Sequence, residues 1–318
     1  MNLLVTGGYG FIGSNFIKLI IGKNRVNKLV NIDSLTYAAD KKSLEEVEGD
    51  PKYVFRHSDI KNYSDVYDAF YAHDITHVAH FAAETHVDNS IEGPKAFVDT
   101  NIIGTFNLLE CARKFKTKRF HHVSTDEVYG ELGKTGKFKP DSPYDPKNPY
   151  SATKAASDFL VRSYGNTFGV NYTISNCSNN YGPHQNSEKF IPVVIKSLLR
   201  GDKVPVYGKG ENIRDWIHVK DHGRAIWKIL TQGKNGETYL VGANNEKTNL
   251  QIVKAICKLL NLNPEESISF VTDRAGHDFR YAIDASKTTA ELNWNPKKNF
   301  EAGLKETIEW YMKNQTEE

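Results

Sequence analysis

With 318 residues, 39% hydrophobic and 25% charged, the chain is long enough for a substantial core in one or two domains. A formal net charge of +2 is too small to point to nucleic acid or an anionic membrane as partner, and no apolar run approaches the roughly 20 residues that span a bilayer. Cys111, Cys177 and Cys257 are far apart, with no CxxC and no nearby His pair, which speaks against a disulfide framework or a metal site and for a reducing compartment.

The first residues, "MNLLVTGG", run straight into a strand and a glycine turn, so no signal peptide is expected and the protein reads as cytoplasmic. Leu3 to Thr6 is a short apolar run, and Phe11, Ile12, Phe16, Ile17 and Ile20 recur at helical spacing. Between them, Gly7, Gly10 and Gly13 form G-x-x-G-x-x-G. Glycines there permit a tight turn and let backbone N–H groups approach a pyrophosphate at a helix N-terminus. A second strand, "KLVNID", ends in Asp33, placed to bind ribose hydroxyls. Its charge would repel a 2′-phosphate, so the expected cofactor is NAD rather than NADP.

"YVFRHSDI" reads as a third strand, with Asp59 and Ile60 beside an adenine. "ITHVAHFAA" reads as a fourth that stops at Ala82 and Ala83, small enough for a cofactor to lie close. "TNIIGTFNLLECARKF" has the spacing of an amphipathic helix, and "RFHHVSTDEVYG" is the next strand, ending at Thr125, Asp126 and Glu127. Strands alternating with helices predict an α/β fold: a doubly wound parallel Rossmann sheet whose ligands sit at the strand C-terminal ends. Two adjacent acids at a strand end suit either a solvated turn or a site that needs one proton donor and one acceptor. Adjacent side chains of a strand point to opposite faces, so the backbone must turn there for both to reach one substrate.

In "NPYSATKAASDFL", Tyr150 and Lys154 are four apart at a helix start and share one face. A cation about 4 Å from a phenol at an effective dielectric of 20 contributes roughly 4 kcal/mol. At about 1.4 kcal/mol per pKa unit, that lowers a phenol by up to about three units. Tyr150 is then expected to serve as a base.

On these residues the chain resembles the extended short-chain dehydrogenase/reductases, and within them the dTDP-glucose 4,6-dehydratase family. The matches are "GGYGFIGSNF", "NIDSLTYA", "AAETHVDNSI", "TNIIGT", "VSTDEVYGE", "NPYSATKAASD", "NNYGPHQ", "GENIRDWIHVKDH" and "AGHDFRY", spread over nearly the whole chain. The resemblance implies that Tyr150 takes the proton from the sugar O4, assisted by Thr125, and that Lys154 and Tyr150 also touch NAD. It makes Glu127 the base at C5 and Asp126 the acid at the departing C6 hydroxyl. Related epimerases lack this Asp-Glu pair. It also implies substrate contacts from Asn179, Asn180, Lys189, Arg214, Asn249, Arg274 and His277. A homodimer built on the helices near 101–115 and after Tyr150 is implied as well.

The expected domains are 1–175 for NAD, with a segment near 218–260 returning to it, and 176–318, mainly a smaller α/β sugar-nucleotide domain. Asn176, Ser187, Ala275 and Phe279 depart from the family pattern in what reads as the substrate half, which leaves a UDP-sugar as the alternative substrate. The short loop between Gly130 and Tyr150 is expected to leave the site more open. His86 is expected near the cofactor.

Overall fold

The structure is a computed structural model that describes residues 1–272 and 278–314. Its first half contributes the strands β1 (Asn2–Thr6), β2 (Lys28–Asp33), β3 (Tyr53–His57), β4 (His77–His80), β5 (Arg119–Thr125) and β6 (Tyr172–Cys177). The second half adds β7 (Asn179–Tyr181), β8 (Val204–Tyr207), β9 (Ile213–His218), β10 (Glu237–Val241), β11 (Glu246–Thr248) and β12 (Ile268–Val271). One parallel sheet takes seven of them in the order β3-β2-β1-β4-β5-β6-β10.

This sheet is apolar on both faces, which is why its strands read as continuous hydrophobic runs. Leu4 and Leu3 illustrate the alternation, since neighbours on a strand point opposite ways. Leu4 joins a core with Phe70, Leu108 and Val161, under the helices Tyr63–His73, Thr105–Lys114 and Pro149–Phe168. Leu3 joins the other core with Phe16, Ile17 and Ile226, under the helices Phe11–Ile20 and Val219–Gln232. The strand order reverses between β1 and β4, and such a switch point opens a crevice at the strand C-terminal ends.

The rest of the second half builds a smaller unit. A three-stranded sheet, β11-β9-β7, and a pair, β12-β8, pack with the helices Phe190–Leu199, Asn249–Leu259 and Phe300–Asn314. Ile195, Trp216, Ile256 and Leu304 lie at its centre. Of the segment 218–260, helix Val219–Gln232 and β10 join the large sheet, whereas helix Asn249–Leu259 packs in the small unit. The switch between them is physical: buried Asp215 accepts hydrogen bonds from the N–H groups of Ala243 and Asn245 and turns the chain after β10.

The helix expected from Thr100 begins differently. Val98–Gly104 is a π-helical turn that leads into the α-helix Thr105–Lys114. There Gly104 lies against Ile60, where a Cβ would stand 2.4 Å from the Ile60 side chain. Asn101, buried in the same turn, ties the loop after β4 to the helix Pro149–Phe168: its amide donates to Glu84 O and Thr153 Oγ1, and its Oδ1 accepts from Glu84 N. Among the described residues no helix is long and apolar enough to cross a membrane, and no cluster of side chains could hold a metal ion.

Candidate active site

One cleft runs across the C-terminal ends of β1, β2, β4 and β5 to the start of the small unit. Its floor is the glycine turn. Gly7 has φ +70°, and a Cβ there would stand 2.8 Å from the Ala82 backbone. At Gly13 a Cβ would come within 2.2 Å of the Gly7 carbonyl oxygen. Gly10 caps helix Phe11–Ile20 without any side-chain hydrogen bond, so the first N–H groups, those of Phe11, Ile12 and Gly13 among them, face the cleft for an anion to cap. Gly13→Ala is expected to cost about 1–3 kcal/mol of stability, because overpacking here pushes backbone against backbone. NAD affinity should fall with it, which paired thermal melts and NAD titrations would measure.

The sides of this floor are set by small polar groups. Ala82 N donates to Thr6 Oγ1 at 3.1 Å, which ties the end of β4 to the end of β1 and brings Ala82 and Ala83 against the crevice. Asp33 ends β2 with both oxygens engaged, accepting from Tyr9 N at 2.9 Å and Leu35 N at 2.8 Å. Burial pushes its pKa up, against the pull of those two N–H groups. Each oxygen keeps a second lone pair, so the carboxylate is fixed in place and still open to hydroxyl donors. Asp59 and Ile60 line the same wall, and Asn107 Nδ2 donates to the Ile60 and Lys61 carbonyls at 2.9 Å to hold their loop.

At the other end β5 stops at Thr125, and a 3-10 turn, Asp126–Tyr129, begins at once. Thr125 caps this turn, its Oγ1 accepting from Glu127 N at 3.2 Å. This is the backbone turn that two adjacent acids need, and Thr125, Asp126, Glu127, Tyr150 and Lys154 all line the cleft. Asp126 is buried, and its Oδ2 has no hydrogen-bond partner. Burial, and then the neighbouring charge of Glu127, push the Asp126 pKa well above the usual carboxylate range. Both effects favour the proton-bearing form of this carboxyl.

Tyr150 and Lys154 correct the expectation drawn from their spacing. Burial and the charge of Glu127 push the phenol up, well above its ordinary value, and only a hydrogen bond with Thr125 pulls the other way. The Lys154 amine is spent elsewhere: it donates to the Val123 carbonyl at 2.9 Å and lies 3.5 Å from His122 Nε2. Burial brings Lys154 itself down to about 8. In a site this enclosed desolvation outweighs a cation at i+4, so Tyr150 is a neutral phenol awaiting a charge change in the cleft.

The small unit brings only part of its expected set to the cleft. Asn179, Asn180 and Lys189 line it. Asn180 is also braced by the protein, its Nδ2 donating to Ser178 O at 3.0 Å and its Oδ1 lying 2.9 Å from His222 Nδ1. Lys189 donates to Thr85 O at 3.1 Å and feels the charge of Glu127.

Arg214 does not line the cleft. Its guanidinium donates to the carbonyls of Ile213, Asp278 and Phe279 and stacks over Tyr281, 4.3 Å from the ring centre. Asn249 starts helix Asn249–Leu259 outside the lining, its N–H donating to Asn212 O at 3.0 Å. Arg274 and His277 lie outside the described residues, as does Ala275.

His86 caps the short helix Val87–Glu92, its Nδ1 accepting from Asn89 N, and takes no place in the cleft wall. Asn176 is not in the substrate half: it is fully buried in β6, where its Nδ2 donates to Thr125 O and to Asp158. The loop after Gly130 is tied down, not left open, with Leu132 N donating to Arg280 O and Phe138 N to Ala282 O, both at 2.9 Å. Cys177, Ser178, Gln185 and Glu188 also line the cleft and were missed. They stand inside the run from Cys177 to Lys189 that drew notice for its asparagines. Cys177 is pushed up to about 12 by burial, so it is a thiol that fills space.

The chain has extensive likeness to known proteins. The family model of GDP-mannose 4,6 dehydratase matches residues 4–307. The dTDP-glucose 4,6-dehydratase 1 of Escherichia coli K12 is 47% identical, over 99% of this chain and 93% of its own. That of Xanthomonas campestris pv. campestris strain B100 is 49% identical, over 98% and 93%. Among solved structures, the Streptomyces venezuelae dTDP-glucose 4,6-dehydratase with NAD and TYD bound superposes with a TM-score of 0.96 at 41% identity, over 99% of this chain and 98% of that one. A UDP-glucose 4-epimerase of Thermotoga maritima reaches a TM-score of 0.92 at 29% identity, over 99% and 100%, so the shape alone spans more than one activity. Sequence identity, fold and the acid pair after Thr125 agree: the chain belongs to the dTDP-glucose 4,6-dehydratase family.

Proposed function

We propose that the protein converts dTDP-glucose to dTDP-4-keto-6-deoxyglucose and water, with NAD as the resident cofactor. The observation that carries this reading is the pair at the end of β5: a buried Asp126, whose surroundings favour its protonated form, beside a half-buried Glu127, both facing the cleft with Thr125 and Tyr150. Removal of water across C5 and C6 needs one group to take a proton and one to give it, and a 4-epimerase needs neither.

The residues present fit NAD. The glycine turn is packed so tightly that a Cβ at Gly7 or Gly13 would strike protein backbone, the uncapped helix start suits a pyrophosphate, and Asp33 suits ribose hydroxyls over a 2′-phosphate. When bound there, NAD supplies a hydride acceptor at C4 and a donor at C6. The protein's own groups move the protons. Tyr150, which lines the cleft with Thr125, takes the O4 proton as the C4 ketone forms; that ketone acidifies the C5 hydrogen, which Glu127 removes. Asp126 gives its proton to the leaving C6 hydroxyl. Like charges that cannot both ionise in one desolvated site divide the two roles, with the deeper Asp126 as the acid and the half-buried Glu127, anchored through its N–H, as the base.

Asn179, Asn180 and Lys189, which line the small-unit end of the cleft, are the contacts for the sugar diphosphate in this reading, and the family resemblance adds Arg214, Asn249, Arg274 and His277. The sheet and first helices, 1–175 with the strand and helix of 219–241, serve NAD, and the small unit serves the nucleotide sugar. Val98, Ile103, Phe106, Phe159 and Phe168 are exposed on the helices flanking the cleft, which supports a homodimer built through them. A weak net charge and a cleft shaped for small molecules support a cytoplasmic enzyme with no nucleic-acid or membrane partner.

Purified protein given dTDP-glucose, and separately UDP-glucose, tests the reading by mass spectrometry. Loss of one water with dTDP-glucose and little with UDP-glucose is expected. Water loss with UDP-glucose alone would keep the chemistry and reassign the base, and none with either would remove the activity.

A further inference from the structure

Behind the cleft wall, where helix Pro149–Phe168 faces β5, lies a buried charge for which the reaction above has no use. Asp158 is one turn beyond Lys154 and wholly enclosed. Its Oδ2 accepts from Ser124 Oγ at 3.0 Å, from Tyr144 OH at 2.7 Å and from Asn176 Nδ2 at 3.2 Å. Its Oδ1 faces His122 Nε2 at 3.3 Å, and that same nitrogen lies 3.5 Å from Lys154 Nζ.

One imidazole nitrogen cannot serve both neighbours. It donates a proton to Asp158 or accepts one from Lys154. Burial pushes Asp158 up, but hydrogen bonding around the carboxylate and the Lys154 ammonium more than offset it, so the carboxylate is ionised. Burial also pushes His122 down to about 4, so the ring is neutral. His122 Nδ1 and Asp158 Oδ1 have no hydrogen-bond partner, and the contact at Nε2 that has hydrogen-bond geometry is the one with Lys154 Nζ. The amine also donates to the Val123 carbonyl and lines the cleft, with the Asp158 carboxylate one turn behind it.

We propose that Asp158 is a positioning residue for Lys154: as a buried counter-charge one turn along the same helix, it keeps the amine protonated and aimed at the cofactor side of the cleft. The surroundings are consistent on every side. Lys154 faces Tyr150 and Asp158 on its own helix, His122 on β5 with His80 of β4 behind it, Cys177 on β6, and Asp126 and Glu127 across the cleft. Asp158 faces Ser124 and His122, Asn176 on β6, and Tyr144, whose hydroxyl also takes a bond from Arg162 at 3.0 Å. Only Asp158 among these brings a full negative charge to the side of Lys154 away from the cleft.

The inference rests on Lys154 as a contact to NAD, and the test separates the two. NAD affinity measured against pH is expected to fall as pH rises through about 8, where Lys154 loses its proton. Lys154→Met should flatten that profile; a profile that persists removes Lys154 as the titrating contact and overturns both statements. With the profile flattened by Lys154→Met, Asp158→Asn should begin its loss of affinity about one pH unit lower, the shift that removal of a nearby opposite charge produces. Asp158→Glu should restore the wild-type profile. An Asp158→Asn protein that binds NAD more weakly at every pH, with its fall at the wild-type position, overturns the inference and leaves the NAD reading intact. Should Asp158→Asn not fold, nitrogen NMR of the Lys154 side chain in the unaltered protein decides. A charged ammonium at pH 7 is expected, and a neutral amine overturns the proposal.

Discussion

Glu127→Gln is expected to bind NAD and dTDP-glucose normally, to carry out the oxidation at C4, and to stop there. Reduced nicotinamide should accumulate on the protein, while release of the 4-keto-6-deoxy sugar falls by about a hundredfold to ten-thousandfold, the range that a positioned general base contributes. The glutamine keeps the size and the backbone bond to Thr125 but cannot take the C5 proton. It also removes the like charge that helps to push the Asp126 pKa up. Asp126 would then ionise at a lower pH, so the residual rate should fall off earlier as pH rises. Rapid-quench mass spectrometry beside nicotinamide absorbance reads both effects. Product released at the wild-type rate would remove Glu127 as the base.

Tyr150→Phe should fail one step sooner. The ring sits in a buried slot beside Phe97, and the change deletes a single oxygen, so folding is expected to survive. Without the phenol the O4 proton loses the acceptor assigned to it, and no reduced nicotinamide should form in a single turnover. The rate should drop by about the same two to four orders of magnitude. The two variants therefore part cleanly: one collects reduced cofactor and the other never makes it. Formation of reduced nicotinamide by Tyr150→Phe would withdraw the role assigned to that hydroxyl.

Much of this was legible in the residues. The glycine spacing, the acid closing "KLVNID" and the strand–helix alternation placed the large sheet and its crevice, because each signal is local and its physics is carried by the backbone. The turn after Thr125 was legible for a similar reason, since two neighbouring acids serve one site only if the strand ends between them. What escaped depended on burial. A spacing of four says that Tyr150 and Lys154 share a helix face; it does not say that Val123 O lies nearer the amine than the phenol does, or that Glu127 lies close enough to raise the phenol.

Arg214 shows the same limit. An arginine is a good phosphate ligand in any sequence, but here three backbone carbonyls and a tyrosine ring already occupy it. Asn176 was misplaced for a different reason. A domain boundary at 175–176 is invisible to composition, and β6 runs on to Cys177. Asp158 drew no notice at all, because a lone acid on a helix face is usually solvated, and only the packing against β5 makes it a buried one.

The position of β10 has a consequence for how the chain is made. It is the edge strand of the large sheet and pairs with β6 in the register Glu237 opposite Thr173, yet most of the small unit's first elements are inserted between them. As the chain leaves the ribosome, β6 emerges with one edge unpaired and keeps it so until those intervening residues have followed. Non-local parallel pairing of this kind is slow, and an open strand edge invites association with other chains. The first elements of the small unit must thus be synthesised before the large sheet can close, and a nascent chain stalled before Glu237 is the form most in need of a chaperone.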